Sequence, residues 1–182
     1  MPVDRLYVEA EVANTPAVEE MIRRVGAAET VIVQDGQPVY DAVLRAKDPA
    51  SRGKRVLFLT QNRGPFVRSC PGTRNYTCCG YRILHVGTYC VMDCAYCILQ
   101  SYFHPPVLQF FVNHQDMHRE LAGLFAEERI SRIGTGEFTD SLIWERWTPL
   151  CRDLVQTFAG QRRAVLELKT KTASVEPLLC LD

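Results

Sequence analysis

The sequence lacks any apolar run long enough to cross a membrane, and its first residues lead into no apolar signal core. Its longest apolar runs are only a few residues, whereas a spanning helix needs about twenty. It also lacks an excess of either charge, with 21 Lys and Arg against 21 Asp and Glu. A neutral balance gives no global attraction to nucleic acid, although a local basic groove stays compatible with it. We therefore expect a cytoplasmic protein with no membrane partner.

Internal repeats and low-complexity segments are also absent from the 182 residues. The chain is 47% hydrophobic and 23% charged, which is enough apolar material for the core of one ordinary domain. What the sequence has in abundance is cysteine, with eight residues. In a reducing cytoplasm, dense cysteines indicate metal binding or catalysis more often than disulfides.

The pattern of apolar residues divides the chain near residue 80. Before it, we predict a small α/β N-terminal region. This region contains strands at 6–12, 30–33 and 56–60, a helix from Pro16 to the glycine at 26, and a polar loop at 47–53.

From residue 81 onward, predicted strands alternate with predicted helices. The strands are 82–86, 130–133 and 164–168, the helices are 113–128 and 140–158, an inserted strand is expected at 107–112, and another helix begins near Ser174. This alternation is typical of parallel βα units. Three such units cannot close a barrel, so we expect a fragment that ends after the third strand.

Three cysteines stand close together directly after the strand at 82–86. Cys90, Cys94 and Cys97 lie within eight residues, so a short loop can turn all three sulfurs toward one centre. Converging thiolates favour an iron–sulfur cluster, zinc or copper(I). A cubane cluster normally takes four thiolates, and three leave one iron with an open coordination site for chemistry.

A structural zinc site is the alternative interpretation of these cysteines. Zinc prefers four closed ligands, often in paired Cys-x-x-Cys units. Only Cys94 and Cys97 have that spacing, because three residues separate Cys90 from Cys94. The spacing therefore favours a cluster over zinc without excluding zinc.

The cysteine spacing resembles the signature of the radical S-adenosylmethionine superfamily, in which an aromatic residue such as Tyr96 precedes the last cysteine. The chain is more narrowly similar to the spore photoproduct lyase family. The similar segments are Leu6–Glu9, Thr88–Cys90, Asp93–Gln100, Phe111–Asn113, Gly134–Ser141 and Leu168–Thr172.

This resemblance implies the first half of a partial (βα)₆ barrel, preceded by the small α/β region. It implies a 4Fe-4S cluster on the three cysteines and S-adenosylmethionine on the open iron. Reductive cleavage of S-adenosylmethionine then gives a 5′-deoxyadenosyl radical that abstracts hydrogen. The partners that it implies are a DNA substrate and an electron donor such as a flavodoxin or ferredoxin. Lyase chemistry in DNA repair would follow.

The segment Gly134–Ser141 follows an apolar strand and precedes a predicted helix. Its residue types by themselves favour an ordinary strand-to-helix turn, because such turns use glycine and a Thr or Asp cap. The resemblance instead implies that this segment holds the methionyl amino group of S-adenosylmethionine. The residues concerned are Gly134, Gly136, Glu137 and Thr139. Lys169 or Lys171 would then meet the methionyl carboxylate, and Lys171 aligns better.

The chain departs from spore photoproduct lyases at two positions. Glu137 stands where that family carries a hydrogen-donating cysteine, although Thr139 keeps the hydroxyl of a replaced serine. Ile98 stands where the family has a tyrosine of the radical relay, while Tyr96 is retained and is the candidate catalytic residue. The resemblance thus supports the family more strongly than repair of the spore photoproduct itself. A non-enzymatic metal-binding module and an inactive fragment are the other hypotheses.

The remaining cysteines form no recognisable ligand set. Cys70, Cys78 and Cys79 lie in a turn-rich loop, where a second metal site or a substitute hydrogen donor competes with buried inert thiols. Buried thiols are slightly favoured, because adjacent cysteines cannot easily share one tetrahedral centre. Cys151 and Cys180 lie on helical patterns and are predicted to be core.

Overall fold

The computed structural model describes residues 2–179, except for the side chain of Pro177. The chain folds as two compact units, each made of two separate segments. The first unit comprises the residues up to Asn62 together with Gly87–Asn113. The second unit comprises Arg63–Val86 and the residues from His114 onward. We describe each unit by itself.

A five-stranded sheet forms the centre of the first unit. Its strands are β1 (Arg5–Glu9), β2 (Glu29–Val33), β3 (Val56–Thr60), β6 (Gly87–Thr88) and β7 (Leu108–Phe111). The strand order is β2-β1-β3-β7-β6, with parallel pairing except for the antiparallel pair β6–β7. Every residue of β3 is buried, as expected for an apolar strand in the middle of a parallel sheet. The strand predicted at 107–112 is thus a member of this sheet.

Three helices connect the first strands of this unit. They are α1 (Pro16–Val25), α2 (Gln37–Leu44) and α3 (Pro49–Gly53). The prediction of α1 is confirmed, with Pro16 in its first turn and Gly26 at φ 57° as its C-cap. The predicted polar loop at 47–53 is wrong, because Asp48 caps a short helix there by accepting from the Ser51 N–H at 3.1 Å.

A four-stranded sheet forms the centre of the second unit. Its strands are β4 (Val67–Ser69), β5 (Arg82–Leu84), β8 (Ser131–Gly134) and β9 (Ala164–Glu167), in the order β4-β5-β8-β9. The pairs β5–β8 and β8–β9 are parallel, and β4 joins β5 as an antiparallel edge. The predicted parallel βα alternation is therefore confirmed for these three strands.

The helices of this unit are α5 (His114–Phe125), α6 (Leu150–Ala159) and α7 (Glu176–Leu179), while α4 (Leu99–Tyr102) belongs to the first unit. The single helix predicted for 140–158 is wrong in its first half, where residues 141–147 form turns. Pro149 explains the difference, because proline has no N–H to donate and disfavours helical geometry at the residue before it. The helix begins only after it.

Trp144 and Trp147 lie in the turns that precede α6, and both are buried. Their ring centroids are 6.3 Å apart. Packing therefore accounts for both tryptophans. Of the helices in the described part of the chain, none has the length and hydropathy needed to cross a bilayer.

Candidate functional site

The cysteine loop, residues 90–97, follows β6 in the first unit. Tyr89 leads into it with φ 67°, an uncommon value for a residue with a side chain. Within the loop, the Cys97 N–H donates to the Cys94 carbonyl at 2.9 Å and the Met92 N–H approaches the Cys90 sulfur at 3.4 Å. The three thiols are partly exposed, and α4 begins two residues after the last of them.

Helix α3 supports the start of the cysteine loop. The Tyr89 hydroxyl donates to the Ala50 carbonyl at 3.1 Å, and the ring is buried. Burial raises the pKa of Tyr89 to about 12, so its hydroxyl remains a donor at neutral pH. Gly53, at the other end of α3, packs against Pro106, which follows α4. The short helix that the sequence did not reveal therefore contacts the chain on both sides of the loop.

Changing Gly53 to Ala will lower the thermal midpoint of unfolding. An added Cβ would lie 1.5 Å from the Pro106 carbonyl oxygen, so backbone must move. Overpacking of this kind costs about 1–3 kcal/mol, which corresponds to about 2–12 °C in a chain of this size, at about 2–4 °C per kcal/mol. Gly123→Ala is the matched control, because a Cβ on that exposed position of α5 meets nothing within 4 Å. Circular dichroism melts should show a small rise for the control, and equal melts for the two variants would contradict the expectation.

Lys54 anchors the middle of the cysteine loop. Its ammonium donates to the Met92 carbonyl at 3.0 Å and forms an ion pair with Asp93. The lysine side chain is 5% exposed, whereas that of Asp93 is 83% exposed. A lysine is almost never buried without partners, and these two contacts are the partners that Lys54 has in the loop.

Within residues 2–179, no three or more His, Cys, Asp or Glu side chains are arranged to hold a metal ion, and this includes the three loop thiols. The donor set itself fits an iron–sulfur cluster, because it offers three soft, accessible thiols on eight residues. None of the described cysteines is paired in a disulfide, so no disulfide competes for the three loop thiols. The chemical type of the three ligands thus fits a cluster, although their sulfur atoms are not arranged in ligating geometry in this structure.

The candidate catalytic Tyr96 lies on the outer side of the cysteine loop. Its side chain is 76% exposed, and Ile98 beside it is 71% exposed. Tyr102, in α4, is also exposed. Tyr96 is thus accessible from solvent, and its assignment as catalytic stays a prediction.

The glycine loop, residues 134–141, begins at the carboxyl end of β8 in the second unit. A Cβ on Gly134 would lie 2.0 Å from the Tyr81 hydroxyl, and one on Gly136 would lie 2.6 Å from the Lys169 Cβ. Packing therefore explains both glycines, because a side chain at either position would collide with Tyr81, just before β5, or with Lys169, just after β9. Whether they also approach a cofactor stays a prediction.

Glu137 lies in a network of charged side chains at the carboxyl ends of β8 and β9. Lys169 pairs with Glu137, and its ammonium is 3.0 Å from Glu167 Oε1. The Tyr81 hydroxyl donates to Glu167 Oε1 at 3.3 Å, and the Lys169 ammonium lies 4.5 Å from the Tyr81 ring centroid. Burial opposes the charge of Lys169, but these partners outweigh it and raise the lysine pKa above its ordinary value.

One carboxylate oxygen of Glu137 offers a place for a further donor. Its Oε1 accepts from Lys169, whereas Oε2 is buried and accepts no hydrogen bond from the described residues. A buried carboxylate oxygen without a donor is unfavourable, and a ligand ammonium group would satisfy it. The residues present thus fit the amino group of S-adenosylmethionine at Glu137.

Asp140 and Ser141 join the glycine loop to the segment after β9. The Asp140 carboxylate accepts from the Leu142 N–H at 2.9 Å, the Thr170 hydroxyl at 2.9 Å and the Lys171 N–H at 2.6 Å. The Ser141 hydroxyl oxygen accepts from the Lys169 N–H at 2.9 Å, and its own N–H donates to the Lys169 carbonyl at 3.0 Å. The two segments named by the sequence are therefore held together.

The remaining predicted residues of this part lie as follows. Thr139 is buried, and its hydroxyl is 3.5 Å from the Asp140 carbonyl. Lys171 is joined to Asp140 through its backbone, and Lys169 is the lysine whose ammonium contacts Glu137. The geometry therefore favours Lys169 over Lys171 as the partner of the glycine loop.

The other cysteines lie in the second unit. Cys78 and Cys79 are exposed and Cys70 is partly exposed, so the prediction of buried thiols is wrong for the adjacent pair. Cys151 is buried as predicted, and its thiol donates to the Ser141 carbonyl at 3.1 Å. Burial raises the pKa of the Cys151 thiol, which marks it as unreactive. Cys180 lies outside the described residues.

Sequence reasoning missed Lys54 and Tyr81, which contact the cysteine loop and the glycine loop from other parts of the chain. Asp48-Pro49 followed by Ser51 is a helix-start signal that would have revealed α3, which precedes Lys54. No local signal points to Tyr81, because its contacts with Gly134 and Glu167 join distant parts of the chain.

No protein-family profile matches the chain, and no curated protein is similar enough in sequence to count as a match. Solved structures do match. A mutant of spore photoproduct lyase with dinucleoside spore photoproduct has a TM-score of 0.79 and 18% sequence identity. A double mutant with bound AdoMet and dinucleoside spore photoproduct has a TM-score of 0.77 and 17% identity. A spore photoproduct lyase complexed with dinucleoside spore photoproduct has a TM-score of 0.78 and 16% identity.

Each of these matches covers 100% of this chain and 53% of the solved one. The chain therefore has the mixed α/β fold of those structures, with parallel sheets, and spans about half their length. The resemblance found in the sequence is confirmed at the level of the fold.

Proposed function

We propose that this chain, which has the fold of spore photoproduct lyase over its whole length, is part of a radical S-adenosylmethionine enzyme of that family. Residues 1–80 would be its N-terminal α/β region and residues 81–182 the first half of a partial βα barrel. Cys90, Cys94 and Cys97 would bind a 4Fe-4S cluster, which supplies the electron that cleaves S-adenosylmethionine. The product radical would abstract hydrogen from a substrate, for which DNA is the candidate class.

The observation that carries this proposal is the three-cysteine loop within this fold. A short three-cysteine motif is weak evidence alone, because such motifs arise by chance in unrelated proteins. Here it occurs in a chain whose full length matches solved spore photoproduct lyases, one of them with bound AdoMet. Fold likeness alone does not give a function, so the thiol chemistry of the loop carries the proposal and the fold likeness adds to it.

Glu137 supports S-adenosylmethionine as the ligand of the glycine loop. Its buried Oε2 is an acceptor suited to the methionyl ammonium group, and Lys169 beside it supplies a cation suited to a carboxylate. Because Glu137 also stands where the family carries a hydrogen-donating cysteine, the reaction need not be repair of the spore photoproduct. We propose hydrogen abstraction from DNA as the reaction class.

The test is cleavage of S-adenosylmethionine by the anaerobically reconstituted protein with dithionite. The expected result is formation of 5′-deoxyadenosine and methionine. Glu137→Gln should weaken S-adenosylmethionine binding about 10- to 100-fold, because it removes a charge-assisted hydrogen bond. Glu128→Gln is the matched control, since that carboxylate lies on an exposed residue after α5.

Two results would count against the proposal. A protein that loads with iron but forms no 5′-deoxyadenosine would contradict the activity of this chain. Stoichiometric zinc that survives in air, with no iron after reconstitution, would favour the non-enzymatic metal-binding module instead. Equal binding by Glu137→Gln and Glu128→Gln would remove Glu137 from the site while leaving the cluster proposal intact.

A further inference from the structure

Lys54 is the buried cation of the first unit that contacts the cysteine loop. The residue is 4% exposed, and its ammonium contacts the Met92 carbonyl and the Asp93 carboxylate. Both partners lie between Cys90 and Cys94, where the spacing of the thiols is longest. The exposed carboxylate of Asp93 could be solvated by water or paired with a surface cation. The need to pair Asp93 therefore does not explain why the lysine is buried.

Burying an ammonium group costs free energy that two contacts only partly restore. A neutral side chain of similar length would fill the same space at lower cost. The position of the charge therefore indicates a use beyond packing. The loop backbone that Lys54 contacts lies between Cys90 and Cys94, two of the three proposed ligands.

We propose that Lys54 is a positioning residue for the iron–sulfur site, which rests on the proposed function. Its ammonium holds the backbone between the first two cysteines and places a fixed positive charge beside them. A site that gains an electron gains negative charge, so a nearby cation in a poorly solvated place favours the reduced state. Lys54 thus helps the site to retain iron and makes the cluster easier to reduce.

The experiment compares wild-type protein with Lys54→Met, Lys54→Gln and Lys54→Arg. Release of iron to a chelator and the midpoint potential, followed by electron paramagnetic resonance, are measured on each anaerobically reconstituted protein. We expect Lys54→Met to release iron about 10- to 100-fold faster, the range found for residues that support metal ligands. Its midpoint potential should move to more negative values, and Lys54→Arg should restore most of that shift because it keeps the charge.

Lys47→Met is the matched control, because Lys47 is an exposed lysine of the same unit. Its charge is screened by solvent, so iron release and potential should equal those of wild type. Lys54→Gln separates the two roles, since an amide can donate to the Met92 carbonyl without carrying charge. Slow iron release with a lowered potential in this variant would support the electrostatic role.

A wild-type potential and wild-type iron release in folded Lys54→Met would overturn the inference while leaving the cluster intact. If Lys54→Met does not fold by circular dichroism, an unshifted potential in Lys54→Gln would overturn the electrostatic role. Wild-type protein that takes up no iron would instead defeat the proposed function. Hydrogen exchange on the metal-free proteins tests the anchoring separately, and unchanged exchange at residues 90–94 in Lys54→Met would overturn it.

Discussion

Replacing Cys90, Cys94 and Cys97 together by alanine will abolish iron binding. Reconstituted wild-type protein should be brown and hold about four irons and four sulfides per chain, and the variant should be colourless. The reason is that the three thiolates are the cluster ligands proposed for this chain, and alanine offers no donor. Anaerobic absorbance with iron and sulfide analysis measures the difference.

The chain offers a control with the same number of thiols removed. Cys70, Cys78 and Cys79 lie in the other unit, with the adjacent pair exposed, so changing all three to alanine should leave the iron content unchanged. Iron that persists without the loop thiols and disappears with the other three would reverse the assignment. Zinc in both variants would show that neither group of cysteines alone holds the metal.

Changing Asp140 to Ala will destabilise the second unit by about 2–4 kcal/mol. The buried carboxylate accepts three hydrogen bonds, from the Leu142 N–H, the Thr170 hydroxyl and the Lys171 N–H. Alanine leaves these donors without their acceptor. The Leu142 N–H is buried, and leaving it unpaired costs about 1–3 kcal/mol, whereas water can reach the donors of the half-buried Thr170 and the exposed Lys171, so that their loss costs less. The glycine loop should also separate from the segment after β9.

Tryptophan fluorescence during urea unfolding measures this effect within one unit. Both tryptophans of the chain, Trp144 and Trp147, are buried in the second unit near the changed residue. Asp153→Asn is the control, because this exposed aspartate in the first turn of α6 contributes no more than about 1 kcal/mol. An Asp140→Ala midpoint equal to that of the control would show that the three hydrogen bonds carry little stability.

The elements that the sequence predicted well are those with strong local signals. Helix α1 has a proline at its start and a left-handed glycine at its end, and β3 is a short apolar run between turn residues. The short polar strands β4 and β6 were not predicted. The long helix predicted for 140–158 is wrong because its apolar spacing runs across Pro149, and the helix begins only after that proline. Helix α3 was missed because five residues are too few for an apolar period to show.

In the candidate site, too, the features with a local signal were predicted and those that depend on distant contacts were not. The sequence by itself determined the ligand chemistry, because thiol spacing at Cys90, Cys94 and Cys97 depends only on residue order. It also placed Glu137 in a loop directly after a strand, although it predicted a helix where turns follow that loop. These are local properties, carried by neighbouring residues along the chain.

Only the tertiary structure decided which distant residues support those loops. Lys54 reaches Asp93 across 39 positions of sequence, and Tyr81 reaches Glu167 across 86. The choice of Lys169 over Lys171 beside Glu137 likewise depends on how β9 pairs with β8. Strand pairing and burial bring such residues together, and their positions along the sequence do not reveal that they are in contact.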